Sequence, residues 1–232
     1  MIKLLVLAAT LFAGSAFAAG PTQMSVVYDL YRNGIKLGQV TDTFSRSGNR
    51  YTLVSETRAM GPLKLLWPGN IHLESTGVVT PQGLRPLQFQ HARSDAPQKL
   101  ATANLDWKQR SIAFLYKGET KQVDGLQDGA QDQLSQVYQF MFVRRLPGDY
   151  SVQVVGGRSV HDFHYVRSDG GAIQTPLGAF ATQRFERITQ KADEKVISVW
   201  IAPARNNLPV QVRVSEDGVT LEQRLVRASV KG

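Results

Sequence analysis

Three aspartates stand four residues apart in DGLQDGAQDQLSQVYQFMF (Asp124, Asp128 and Asp132), and such a cluster raises the question of a cation site. A calcium loop of the EF-hand type needs oxygen ligands at alternate positions and a closing glutamate. Here the spacing is four and no glutamate closes the loop, so metal binding is not expected. The histidines offer no ligand set either. His161 and His164 are three apart in a strand-like run, point to opposite faces and cannot share an ion. His161 is expected to sit half-buried on one face with Phe163 and Tyr165, and His164 to face solvent beside Asp162, while His72 and His91 stand singly. Nucleophilic chemistry finds no support. The chain has no cysteine, no Gly-x-Ser-x-Gly elbow and no Ser-x-x-Lys. Gly156-Gly157 and Gly170-Gly171 precede strand-like runs, so they read as turns and not as phosphate cradles. The carboxylate pairs Asp193-Glu194 and Glu216-Asp217 lie at turns, where nothing fixes their separation. No catalytic residue, metal or cofactor is therefore predicted, and the chain is not expected to be an enzyme.

One stretch has a different character. MGPLKLLWPGN (Met60 to Asn70) sets Leu63, Leu65, Leu66 and Trp67 between two prolines and two glycines. It does not alternate and is too short for a helix. It either plugs one end of the fold or is an exposed apolar loop that contacts a membrane or covers a ligand cavity, because apolar surface outside a core has a partner and Trp suits a lipid interface.

Strand signals dominate the rest. Val26 to Arg32 and Ile35 to Phe44 flank Asn33-Gly34, the strongest short hairpin signal, because both central positions need positive φ. A two-residue loop there predicts Leu30 opposite Leu37 and Val27 opposite Val40. Asp217-Gly218 closes a second such hairpin, predicting Val214 opposite Leu221 inside and Arg213 opposite Glu222 outside. About a dozen short antiparallel strands at regular spacing predict a mainly β fold, an open or closed barrel or strongly curved sheet. One amphipathic helix near 132–146 is expected against it. Asp132 serves as its N-cap, Leu134, Val137, Tyr138 and Met141 as its apolar stripe, and Arg144-Arg145 as its last turn before Leu146-Pro147-Gly148. The aspartates of the opening stretch thus read as a helix start.

The first residues read as an export signal: Lys3, an apolar run from Leu4 to Phe12, then Ser15-Ala16-Phe17-Ala18. The expectation is a signal peptide over 1–18 and a single β-rich domain over 19–232. That domain is periplasmic, with secretion as the alternative, and has no transmembrane anchor. The formal charge is +8, of which only Lys3 falls within 1–18, and the cations are scattered singly apart from Arg144-Arg145 and a few other short pairings. That pattern, together with export, excludes a nucleic-acid partner, and leaves solvation or attraction to anionic head groups.

Several stretches together resemble a known family. They are the Tyr-rich first hairpin with Asn-Gly, GLRPLQFQHAR (Gly83 to Arg93), QDQLSQVYQF (Gln131 to Phe140) and WIAPARNNLPVQVRVSEDG (Trp200 to Gly218). In this order behind an export signal they look like the domain of unknown function numbered 3108, over nearly the whole chain beyond 18. The resemblance implies a periplasmic, mostly antiparallel β protein with a helix against the sheet, and no established activity. Two functions stay open, with a hydrolase as a distant third. A hollow interior suits a carrier of an amphipathic or lipid-like ligand; a filled interior with an exposed apolar edge suits an assembly factor that meets an envelope protein.

Overall fold

A computed structural model describes residues 20–60, 69–189 and 194–232. Fifteen strands form one sheet, in the spatial order β8-β7-β6-β5-β4-β3-β2-β1-β15-β14-β13-β12-β11-β10-β9. The first half comprises β1 (Gln23–Arg32), β2 (Ile35–Ser47), β3 (Arg50–Ala59), β4 (Ile71–Thr80), β5 (Gly83–Arg93), β6 (Ala101–Asp106), β7 (Ser111–Tyr116) and β8 (Glu119–Asp124). The second comprises β9 (Gln131–Asp132), β10 (Tyr150–Val155), β11 (Val160–Thr175), β12 (Gly178–Ile188), β13 (Val196–Ala202), β14 (Leu208–Glu216) and β15 (Val219–Lys231). The two halves are continuous, because the first strand pairs with the last. All pairings are antiparallel except β9 with β10. The sheet is strongly curved but not closed, since β8 and β9 remain its two edges.

Between the halves runs a short helical segment, α1 (Ser135–Tyr138) continued by a 3-10 turn over Gln139–Phe142. Leu134, Tyr138, Met141 and Phe142 pack into a core with Val26, Leu53, Phe89 and Phe114 of the first half. Phe140 turns the other way, into a second cluster with Val154, Phe185, Val199 and Val212. The expected stripe is thus present, but the helix differs from the expected span of 132–146. It is enclosed by the curved sheet on more than one side, and its length is set by that space. The Asn207 side chain donates to the Phe140 carbonyl at 2.8 Å, and Val143 is already extended, so Arg144 and Arg145 lie outside the helix.

The hairpins show what register reading can and cannot reach. Asn33 and Gly34 take φ of 48° and 82°, and Asp217 and Gly218 take 48° and 72°, as such turns require. The second hairpin pairs Val214 with Leu221 and Arg213 with Glu222, as predicted. Its faces differ from expectation, since Leu221 is 40% exposed and Glu222 only 8%. Two cations enclose that carboxylate, Arg213 at 3.1 Å and Arg224. In the first hairpin a bulge between Leu30 and Tyr31 sets Leu30 opposite Gly38 and Tyr28 opposite Val40, one residue from the predicted partners. His161 stacks on Phe163 as expected, but it is exposed and not half-buried, and its Nε2 meets Ser159 Oγ at 3.0 Å.

Candidate functional site

The side chains with unusual chemistry converge on the enclosed helical segment. Asp132 lies just ahead of it and is fully buried. Its Oδ1 accepts from the backbone N–H of Leu134 at 2.9 Å and of Ser135 at 2.7 Å, and Ser135 Oγ accepts in return from the Asp132 N–H at 2.9 Å. Asp132 thus accepts from backbone N–H groups at the helix start as expected, although the residue that flanks the helix is Leu134 and not Asp132. Its Oδ2 accepts from Ser75 of β4, whose hydroxyl contacts Tyr51 of β3 at 2.9 Å. At the far end of the helix, the Tyr138 hydroxyl donates to Asp42 Oδ2 of β2. It lies 3.3 Å from the Tyr28 hydroxyl of β1, which donates to the Pro209 carbonyl of β14 at 2.9 Å. Gln131 and Gln139 complete the ties: Gln131 Nε2 donates to the Leu84 carbonyl at 2.8 Å, and Gln139 Oε1 accepts from the Leu84 N–H at 2.6 Å. The segment QDQLSQVYQF therefore joins strands from both halves by side-chain bonds.

Burial pushes the Asp42 and Asp132 carboxyls up to about 6, against an ordinary value of 3.8. For Asp42 the nearby Ser55 and Tyr138 hydroxyls offset part of that rise, and its Oδ1 has no hydrogen-bond partner among the described residues. Burial likewise pushes the Tyr28, Tyr51 and Tyr138 phenols up, so they act as hydrogen-bond donors throughout the ordinary pH range. Raised carboxyls of this kind often mark catalytic acids. A catalytic acid must reach its substrate, however, and these two are sealed in the core. Their evident work is to fix the helix. Sequence alone missed Asp42, although one signal was present. Asp42 alternates with the buried Val40 and Phe44 in VTDTF, so a carboxylate occupies the apolar phase of a strand.

A second cluster lies on the opposite face of β3 and β4. His72 Nδ1 meets Glu56, and its Nε2 meets Glu74 Oε2 at 3.4 Å, so these bonds raise its pKa. Among the described residues no group of three or more His, Cys, Asp or Glu side chains could hold a metal ion.

The surface is polarised along the strand direction. The antiparallel order brings the ends joined by β1–β2, β3–β4, β5–β6, β7–β8, β10–β11, β12–β13 and β14–β15 to one rim. Of the eight large hydrophobic residues exposed among the described ones, six belong to this rim: Ile35, Met60, Leu100, Leu115, Ile188 and Leu221. Leu87 and Leu177 are elsewhere. Leu63, Leu65, Leu66 and Trp67, the apolar loop singled out from sequence, lie outside the described residues. The residue before that segment, Met60, is at the rim, where its N–H donates to the Leu37 carbonyl at 3.0 Å.

Charges at the rim are asymmetric as well. Asp95 pairs with Arg93, Glu194 with Arg187 and Glu216 with Lys195. Arg32, Arg58, Lys99, Lys117 and Arg158 are exposed and form no ion pair among the described residues, whereas Glu119 and Asp217 are the corresponding unpaired acids.

An open, fifteen-stranded curved sheet around a tethered helical plug defines a barrel-like β protein. The chain belongs to the family described as "Protein of unknown function (DUF3108)", whose model matches residues 27–223. It is also similar to a solved structure from Brucella abortus, a beta-barrel-like protein of domain of unknown function DUF1849. That likeness has a TM-score of 0.56 at 14% identity, and covers 94% of this chain and 100% of that one, so it concerns the fold alone. A comparison with curated proteins finds no match. No helix among the described residues is long and apolar enough to cross a membrane.

Proposed function

We propose that this is a non-catalytic protein of the cell envelope, exported to the periplasm, which engages amphipathic, lipid-like molecules through the apolar rim. One observation carries the reading: six of the eight large hydrophobics exposed among the described residues collect on one rim, together with Arg32, Arg58, Lys99, Lys117 and Arg158, which form no ion pair among those residues. Exposed apolar side chains beside such Lys and Arg suit the boundary between acyl chains and anionic head groups. The fully buried state of Asp42 and Asp132 supports a non-catalytic reading, because the two most perturbed carboxyls face no solvent.

The test is co-sedimentation of the protein, freed of residues 1–18, with vesicles of phosphatidylglycerol and phosphatidylethanolamine. Binding is expected, with much less to phosphatidylcholine alone and a decline as salt rises. Replacing Ile35 and Leu221 together by Asp should abolish it while leaving the thermal transition in place. Equal binding by parent and double variant would overturn the reading.

A second reading has its own support. The helical segment occupies the concavity, as a filled fold that meets a partner protein would require, and β8 pairs on one side only. Absence of vesicle binding, together with saturable binding of an envelope protein blocked by Lys121→Pro in β8, would favour it.

A further inference from the structure

At one corner of the rim the exposed apolar residues form a cleft instead of isolated tips. It has a volume of about 550 Å³ and is lined by Pro97, Gln98, Leu100, Leu115, Lys117 and Gly118. That volume lies within the roughly 300–1,000 Å³ of ordinary small-molecule sites. Leu100 and Leu115 are 42% and 43% exposed, so the two largest apolar walls are unburied in the free protein. One cation, Lys117, lines the cleft, and Tyr116 points to the opposite face of β7 from Leu115. The Lys117 ammonium and the Arg158 guanidinium both lie over the Tyr116 ring, at 5.5 and 4.7 Å from its centroid. Lys99 ends the short 3-10 turn over Pro97–Lys99, which carries no acid in its first turn. The acids near these cations are Glu119, the cross-strand partner of Tyr116, and Asp95, whose carboxyl Arg93 and, in part, Lys99 hold below its usual value.

We propose that this cleft takes the acyl chain of a single long-chain fatty acid, whose carboxylate lies against Lys117, with Lys99 between the lining residues Gln98 and Leu100. Apolar walls with one lining cation match an amphiphile with an anionic head. The inference rests on the reading of the rim as a lipid-engaging surface, and it names the molecule that one part of the rim selects. The two tests change different residues: Ile35 and Leu221 project from other hairpins of the rim, whereas Leu100 and Leu115 line the cleft.

The experiment is a fluorescence titration of anthroyloxy-labelled stearate with the 19–232 chain. Saturable single-site binding is expected. Leu115→Asp should weaken it about tenfold or more by placing a charge on the apolar wall. Leu115→Ser, a milder change at an exposed position, should weaken it by a smaller factor. Lys117→Glu should weaken the stearate but not the equally labelled stearyl alcohol, which has no carboxylate. The Ile35→Asp, Leu221→Asp double variant should bind the probe like the parent. Failure of saturable binding by the parent, or equal binding by parent and both Leu115 variants, would overturn the proposal. So would displacement of the probe by dioleoyl phosphatidylglycerol at a concentration no higher than that of unlabelled stearate, which would assign the cleft to a two-chain lipid. Probe binding without vesicle binding would sink the docking role of the rim and leave the cleft standing.

Discussion

Asp42 is the residue on which the interior turns. Its Oδ2 accepts from Tyr138, its Oδ1 has no partner among the described residues, and burial raises its carboxyl to about 6. Ionised Asp42 is therefore a cost to the fold at alkaline pH, while the Tyr138 bond offsets part of it. Two substitutions separate these effects. Asp42→Asn keeps an oxygen acceptor for Tyr138 and removes the buried charge, so its thermal midpoint at pH 8 should equal or exceed that of the parent. Tyr138→Phe removes one of the two hydroxyls that offset the buried charge and should lose about 2 kcal/mol at pH 8, and less at pH 5, where the carboxyl is mostly protonated. Urea unfolding at both pH values measures each difference. If Asp42→Asn were clearly destabilised at pH 8, the ionised form would be making a contact that outweighs its burial.

Register is decided at the scale of elements, and there Gly38 does what no other residue could. It lies opposite Leu30 on β1 and Ala59 on β3, next to the bulge, and an added Cβ would sit 2.2 Å from the Arg58 carbonyl oxygen. Backbone cannot retreat as a flexible side chain can, so β2 or β3 would have to shift. Gly38→Ala should cost about 2 kcal/mol or more by overpacking, whereas Gly148→Ala, with nothing near its Cβ and an ordinary φ, should change stability little. Equal midpoints for the two variants in denaturant unfolding would show that β2 and β3 are not so closely apposed. The same glycine marks where sequence reading stopped. Alternation and Asn-Gly located the hairpin, but a bulge adds one residue to one strand, and its only sequence trace is a small residue in a run of larger ones. The Asp217-Gly218 hairpin has no bulge near its turn and could be read to the exact pair. The helix start was legible because a cap is local chemistry. Its end was not, because it depends on Asn207 and on the volume enclosed by distant strands. The buried ties from Tyr28, Tyr51, Ser55 and Ser75 share this fate: each looks like an ordinary strand position until the sheet curves. The collection of apolar residues at one rim is likewise a product of strand order and of no local motif.

For the whole molecule these groups combine into a pH profile. Asp42 and Asp132 have folded values near 6 against 3.8 unfolded, so the native state binds these protons more readily. Their burial cost is fully felt above about pH 6 and shrinks as pH falls from there toward 3.8, up to about 3 kcal/mol for each carboxyl. His72 acts in the same direction: bonding to Glu56 raises its pKa, so its stabilisation is complete below 6.5 and is lost as pH rises through the raised value. Two effects oppose a more acidic optimum. His91 is half-buried and held below its usual value by that burial and by Arg93 and Arg158, so it costs stability as pH falls below 6.5. Asp29 is pushed up by burial, but the Lys36 and Gln39 bonds hold it below the ordinary carboxylate range. Its contribution is present above pH 3.8 and fails as pH drops through its lowered value. The maximum should therefore lie near pH 5, with a thermal midpoint roughly 5 °C above that at pH 8. The Asp42→Asn, Asp132→Asn double variant should flatten most of that difference. The slope reports on the tethers of the helical segment, because both carboxyls are raised only while the segment and the sheet keep water from them. A midpoint unchanged between pH 5 and 8 in the parent would mean that the two carboxyls meet solvent in the native state. The segment would then leave the concavity often enough for the interior itself to admit a ligand.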